Sequence, residues 1–279
     1  MFSTGHLIWI GISVLLIITG FFLCRRKRPG VDRMLRICFA LGFLSELVKI
    51  YLVTKIVPVV TPALSGGTET GFVQTGAYQP YMELEHLPLE MCSLQIVFMA
   101  MALSVRDRVR KEKILSLIYA TAVIGGIIAI LFSSIAPEFE TTAVFFASPR
   151  AWQFYLYHSM IVTLGLYLGF IPDSGVSVRH LKSTVTMIAL MDIPTFYLNS
   201  VFAQPVYVNG EFTGLTYGTN FFSSYLNPLG IAITEKWQWG LYLVIRLSLA
   251  LALTILLFLV RERAALAQPA DNWHNSFGG

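Results

Sequence analysis

Seven long apolar stretches, with every second gap between them basic, constrain this chain more than any motif does. They fall at roughly 6–24, 35–58, 86–104, 114–136, 152–171, 183–203 and 238–260. Each is close to the length of about 20 residues that a helix needs to cross a bilayer. The gap after the first holds Arg25, Arg26, Lys27, Arg28, Arg33 and Arg36. The gap after the third holds Arg106, Arg108, Arg110, Lys111 and Lys113, and the gap after the fifth holds Arg179 and Lys182. Arg261 and Arg263 close the seventh, whereas the intervening gaps carry chiefly Lys55, Arg150 and Lys236. Lys and Arg concentrate on the cytoplasmic side of membrane proteins. The pattern therefore predicts an all-α, polytopic integral membrane protein with seven transmembrane helices. Its N-terminus is expected outside and its C-terminus in the cytoplasm.

Composition agrees. The chain is 55% hydrophobic and 13% charged, with a mean hydropathy of +0.66. Soluble domains run near one quarter charged. A net charge of +4 reports orientation here and does not point to nucleic acid. The first stretch is followed by "CRRKRPG" and lacks a small-residue cleavage site, so it reads as a retained helix and not a signal peptide. One membrane domain is expected over 1–265, with a disordered polar tail over 266–279. The exterior gaps at about 59–84 and 204–237 are rich in Gly, Pro, Thr and Tyr, and read as irregular structure. The three cysteines, Cys24, Cys38 and Cys92, form no CxxC pair and no disulfide framework. Cys24, beside the basic cluster, carries only a weak signal for acylation. No zinc-ligand spacing and no phosphate-cradling glycine loop is present, so neither metal nor cofactor is expected.

Ionisable groups inside membrane spans are costly and mark function or pairing. At a rise of 1.5 Å per residue, Cys92 and His158 lie at matching depths of roughly 9 Å below the outer surface. Arg246 is somewhat deeper, at roughly 12 Å. Glu46 and Lys49 fall just outside the midplane, and Asp192 and Asn199 run from the midplane outward. All seven residues gather in the outer halves, which a shared polar cavity would satisfy. Each also has a structural reading. Glu46 and Lys49, at i and i+3, can neutralise each other. Asp192 can serve to hold the kink that Pro194 imposes, together with Arg246. Asn199 can serve as helix–helix glue, and Cys92 as a small core hydrophobe.

A thiol becomes a nucleophile when a base takes its proton. His158 is the histidine placed well inside a span; His86 stands at a span mouth, His6 and His180 at membrane edges, and His274 in the tail. If Cys92 is a nucleophile, His158 is its natural base. Asn220, in "YGTNFFSSYLNP", is placed to orient the imidazole or donate to an oxyanion. The simplest reaction for such a pair in lipid is acyl transfer through a thioester.

The stretches "HLPLEMCSL", "ATAVIGGIIAILF", "WQFYLYHSMIVTLGLYL" and "YGTNFF", followed by "WQWGLYLVIRL", come in an order that resembles the bacterial YwaF family of membrane proteins. The eukaryotic relatives of that family are the transmembrane protein 164 acyltransferases. The resemblance covers spans three to seven, and LPLxxC and the His of span five are its most specific parts. It implies a Cys–His pair that moves an acyl chain from a phospholipid to a lysophospholipid, with Cys92 and His158 in those positions. It also implies a bacterial plasma membrane as the location. The family is distantly similar to the androgen-induced membrane hydrolases, which use a threonine and a histidine in similar places. Two departures stand out. Glu90 occupies the position of the His in LPLHLC, and the family's N-Y-M-Y-L is here Asn220, Phe221, Phe222, Ser223 and Ser224.

Taken together, the sequence supports a lipid acyltransferase or acyl hydrolase with Cys92 as nucleophile and His158 as general base. Its partners would be membrane phospholipid and lysophospholipid, with no protein partner evident. Glu90 would contact a headgroup or the imidazole. Arg246 would hold a phosphate, or pair with Asp192 or Glu46. The alternative is a small-solute transporter or membrane binding protein using the same polar cavity without covalent chemistry. No repeat between halves supports a transporter, and a seven-span count alone is weak support for a sensor.

Overall fold

The computed structural model describes residues 3–65, 68–133, 135, 141–208, 211–216, 219–223 and 233–266. The tail expected over 266–279 lies outside the described residues apart from Leu266, which ends the last helix.

Eight α-helices are described: α1 Thr4–Lys27, α2 Val31–Val53, α3 Leu94–Ser104, α4 Arg108–Leu131, α5 Thr142–Ala147, α6 Pro149–Phe170, α7 Leu181–Phe202 and α8 Lys236–Leu266. Local chemistry sets several ends. The Ser3 hydroxyl accepts from the His6 N–H at 3.3 Å, which caps α1. Arg28, left-handed at φ 45°, closes it after a basic last turn that suits the helix dipole. The Asp107 carboxylate caps α4 by accepting from the Arg110 N–H at 2.7 Å. Pro149 starts α6, where its missing N–H has no consequence.

Every expected span overlies one of these helices, with α5 as a short addition. Four helices, Thr4–Lys27, Arg108–Leu131, Val178–Phe202 and Lys236–Ala264, are long and apolar enough to cross a membrane. The chain is a mostly helical membrane protein. The third expected span is corrected: its helix covers only 11 residues, Leu94–Ser104. Upstream lie a single 3-10 turn, Leu84–His86, and a run of turns. Pro88 keeps a helix from running through 86–88, because a residue before proline is driven to extended backbone and Leu87 sits at ψ 144°; the turns of 89–93 then delay α3 to Leu94. The second span also ends early, at Val53, because a strand begins at Lys55.

The gaps expected to be exterior and irregular are corrected too. Their described parts form antiparallel hairpins, β1 Lys55–Ser65 with β2 Thr68–Tyr81, and β3 Gln204–Val208 with β4 Glu211–Thr216. The β-branched and aromatic residues of "KIVPVVT" and "FVQTGAYQPY" favour pleated pairing over a helical or irregular path. Bulges relieve the ladder between Pro58 and Val60 and between Val206 and Tyr207.

The centre of the bundle is α4 packed on α6. Ile118, Ala120 and Ala122 of α4 and Tyr155, Ile161, Leu164 and Leu168 of α6 are fully buried. Close approach depends on missing side chains. A Cβ at Gly126 would stand 2.5 Å from Val162 Cγ2, and one at Gly165 would stand 2.7 Å from Val123 Cγ2. α1, α2 and α8 line the outside with exposed apolar residues such as Leu15, Phe22, Leu44, Val244 and Leu249. That is the surface expected of helices that face lipid.

Candidate functional site

Cys92 lies in the turn that leads into α3. The Cys92 carbonyl accepts from the Gln95 N–H at 3.2 Å and from the Tyr157 hydroxyl of α6 at 2.6 Å. This pins the turn to the central helix pair. The sulfur rests against α4, where a Cβ at Gly125 would meet Cys92 Sγ at 3.6 Å and Met91 Sδ at 3.8 Å.

His158 sits on α6 on the neighbouring side of the same glycine step. The Cβ direction of Gly126 points at Val162, Ile161 and, at 3.4 Å, the His158 carbonyl. The imidazole is buried, and its Nδ1 is 2.7 Å from the Phe154 carbonyl. A carbonyl only accepts, so Nδ1 carries the hydrogen and Nε2 keeps a lone pair. That is the tautomer a general base requires. Among the described residues no hydrogen bond joins the Cys92 thiol to the imidazole. The structure therefore places the Cys92 sulfur beside Gly125 and the His158 backbone beside Gly126, without linking the two side chains directly.

The remaining expected residues form a polar group, here the polar ring, that comes within electrostatic reach of the pair through Glu90 and Lys49. Glu46 and Lys49 of α2 make an ion pair. Lys49 and Arg246 both lie within electrostatic reach of Glu90, and Glu90 within reach of Cys92. Of the partners open to Arg246, it takes Asp192: Nη2 contacts Oδ1 at 2.6 Å and Oδ2 at 2.5 Å. This pair anchors α7 to α8 two residues before Pro194. The Thr195 hydroxyl donates to the Asp192 carbonyl at 2.6 Å.

Asn199 grips the 219–223 segment on both edges. Its Oδ1 accepts from the Thr219 hydroxyl at 2.8 Å and the Phe221 N–H at 2.9 Å, and its Nδ2 donates to the Phe221 carbonyl at 3.1 Å. The Asn220 carbonyl accepts from the Ser223 N–H at 2.8 Å. Residues 217, 218 and 224–232 of the family-like stretch lie outside the described residues.

Several participants were not singled out in the sequence. The foremost is the Phe222 backbone. Its N–H donates to Glu90 Oε2 at 3.2 Å, and its carbonyl accepts from Arg246 Nη1. Phe222 and Ser223 are left-handed, at φ 56° and φ 51°, an uncommon conformation for residues with a Cβ. The Tyr242 hydroxyl donates to the Ser223 carbonyl. Arg150 bonds Gln153, whose Nε2 donates to Ser45 Oγ at 2.8 Å. Only the tyrosines and Arg150 carried a sequence signal, as polar atoms on apolar helices. His6 and His180, expected at membrane edges, are both buried in the protein. His6 Nε2 is 3.0 Å from the Ile130 carbonyl, and His180 Nε2 is 3.3 Å from Glu112.

Among the described residues, no group of three or more His, Cys, Asp and Glu side chains is arranged to hold a metal ion. The ring could bind a polar headgroup, and the Cys–His pair could carry acyl chemistry. The TMEM164 family model matches residues 1–260, and the chain belongs to that family. No curated protein and no solved structure matches it.

Proposed function

We propose that this TMEM164-family chain is a lipid acyl-transfer enzyme, with Cys92 as nucleophile and His158 as general base. It crosses a bacterial plasma membrane seven times, the third crossing being made by the 11-residue α3 together with the turns ahead of it, and its site is reached from the outer leaflet. The observation that carries this reading is the state of the buried His158 ring, whose Nδ1 hydrogen goes to the Phe154 carbonyl at 2.7 Å and leaves Nε2 as a base. Cys92 Sγ has its seat on Gly125 of α4, and the His158 backbone carbonyl packs on Gly126.

The chemistry follows from that state of the ring. His158 Nε2 takes the thiol proton, through the small movement or single water that an empty site commonly needs. The thiolate attacks an ester carbonyl of a phospholipid, forming a C–S bond. The C–O bond breaks, and the leaving lysophospholipid alkoxide takes the proton back from the imidazolium. An incoming hydroxyl then reverses the sequence. Glu90, Lys49, Asp192 and Arg246 surround the approach of the headgroup, and Glu46, Asn199 and Asn220 hold that surround in place. No cofactor is required.

The test is intact-mass analysis of purified protein in nanodiscs with a labelled phospholipid. An acyl adduct is expected in the wild type and absent in Cys92→Ala. In His158→Ala it should form and release at least about 100-fold more slowly, the lower range for loss of a general base. No adduct and no lipid conversion across several donors would favour a solute-binding or transport role for the polar ring, which tolerates Cys92→Ala.

A further inference from the structure

The β1–β2 hairpin inverts the usual pattern of a half-covered sheet. Side chains alternate between the two faces of a strand. Along β1, Ile56, Pro58 and Val60 are exposed, whereas Val57 and Val59 between them are half-buried. The cross-strand partners of the exposed three are Pro80, Tyr78 and Gln74, and all three are exposed as well. Ile56 and Tyr78 are each 67% exposed. An antiparallel sheet with one covered face normally turns polar side chains to water. On this face Gln74 and the Tyr78 hydroxyl supply the polar groups, and the other four side chains are apolar. The opposite face carries Gln79, and Lys55 in an ion pair with Glu83 at 2.6 Å. Between Lys55 and Glu83 the chain has one charged residue, Glu69. An exposed apolar face of this kind marks an interaction surface.

A further strand is a poor occupant. Pro58 and Pro62 in β1 and Pro80 in β2 have no N–H, and a proline in a sheet keeps its missing donor to the outer edge. Neither edge of this two-stranded sheet therefore offers an unbroken row of donors. A lipid surface fits better. Thr54 alone separates β1 from α2, whose last turns expose Leu47, Val48, Ile50 and Tyr51 on a lipid-facing helix. Apolar exposure thus runs on from the helix to the hairpin. Tyr51, Tyr78 and Tyr81 are all exposed. Tyrosines gather at the membrane–water boundary, where the ring is apolar and the hydroxyl is wet.

We propose that the β1–β2 hairpin lies on the membrane, with its Ile56, Pro58, Val60 and Tyr78 face seated against the outer-leaflet lipid surface. This seat needs no acyl chemistry and takes only its leaflet from the topology proposed above. β2 leads through the turn Leu84–His86 to the turn of Cys92. The lipid-bound strand is therefore next in the chain to the candidate nucleophile.

The experiment places spin labels on single cysteines of the full-length protein, in a background where Cys24, Cys38 and Cys92 are replaced. Each nanodisc of phosphatidylcholine and phosphatidylglycerol holds one copy. Power saturation compares collisions with oxygen, which concentrates in lipid, against those with a water-soluble nickel chelate. Labels at Ile56→Cys and Tyr78→Cys are expected to favour oxygen, at about 5–10 Å inside the headgroup boundary, the depth of interfacial amphipathic elements. The label at Gln79→Cys is expected to favour nickel. Val60→Cys reads the same face if a label at 56 or 78 disturbs folding. Nickel-favoured collisions at 56 and 78 would mean a hairpin standing in water, and overturn the proposal. Shielding of both labels from both reagents would mean a protein cover, and overturns it equally. Equal ratios at 78 and 79 overturn the assignment of faces. A protein inserted in the opposite orientation gives the same ratios, so an error in topology is distinguishable from failure of the lipid seat.

Discussion

Among the described residues Arg246 has one carboxylate partner, and the pair is largely shielded, with side chains 19% and 11% exposed. Truncating one partner of such a pair strands a charge and costs about 3 kcal/mol, whereas replacing both by apolar residues is often close to neutral. Asp192→Ala is therefore expected to lower the unfolding midpoint of the detergent-solubilised protein by several degrees. The double variant Asp192→Leu/Arg246→Met should recover most of the loss, and fluorescence-detected size exclusion after heating measures both. At this scale the sequence was legible where a charge stood in an apolar run. Depth alone put Glu46, Lys49, Asp192, Asn199 and Arg246 on one side of the midplane, and Asp192 was already among the partners open to Arg246. Gln95 was passed over because one amide in "SLQIVFMAMAL" means little until Thr121, 26 residues away, is seen to hold it. Phe222 could not be read at all, because its contacts are made by backbone atoms.

Helices were legible because hydropathy reports them directly; their interruptions were less so. Pro88 keeps a helix from running through 86–88 by its effect on Leu87, and the strands were masked by the Gly and Pro residues around them. The glycine pair of α4 illustrates how unequal adjacent positions can be. "IGGIIAI" suggests small-residue packing, but it does not say which glycine packs. Gly126 does: a Cβ there would be 2.5 Å from Val162. Gly126→Ala is expected to cost about 1–3 kcal/mol, as overpacking of a close-fitted core does, and to reduce the yield of monodisperse protein. Gly125→Ala meets only ordinary contacts, the nearest being Cys92 Sγ at 3.6 Å. It should fold like the wild type, and equal losses in the two variants would contradict this packing.

Across the whole molecule, the basic gaps and the polar ring lie at opposite ends of the helices. Glu112 meets Arg108, Arg179 and His180 at the basic end, tying the start of α4 to the entry of α7. Glu262 of α8 accepts from the Val178 N–H at 3.0 Å and joins the same end. The seven-crossing topology proposed above makes a direct prediction. A cysteine at exposed Thr75, in β2, should react with an impermeant maleimide in intact cells, in a background where Cys24, Cys38 and Cys92 are replaced. A cysteine at exposed Arg110 should react only after permeabilisation, and the reverse pattern would invert the protein in the membrane. At the polar end, the Phe222 peptide unit is held from both sides, by Glu90 ahead of α3 and by Arg246 of α8. One residue's backbone thereby ties α8 to the turn that carries Cys92. Because the joining atoms are an N–H and a C=O, every amino acid except proline supplies them. What the position selects is a backbone able to hold a left-handed φ, so glycine or asparagine would keep the tie while a β-branched residue would strain it.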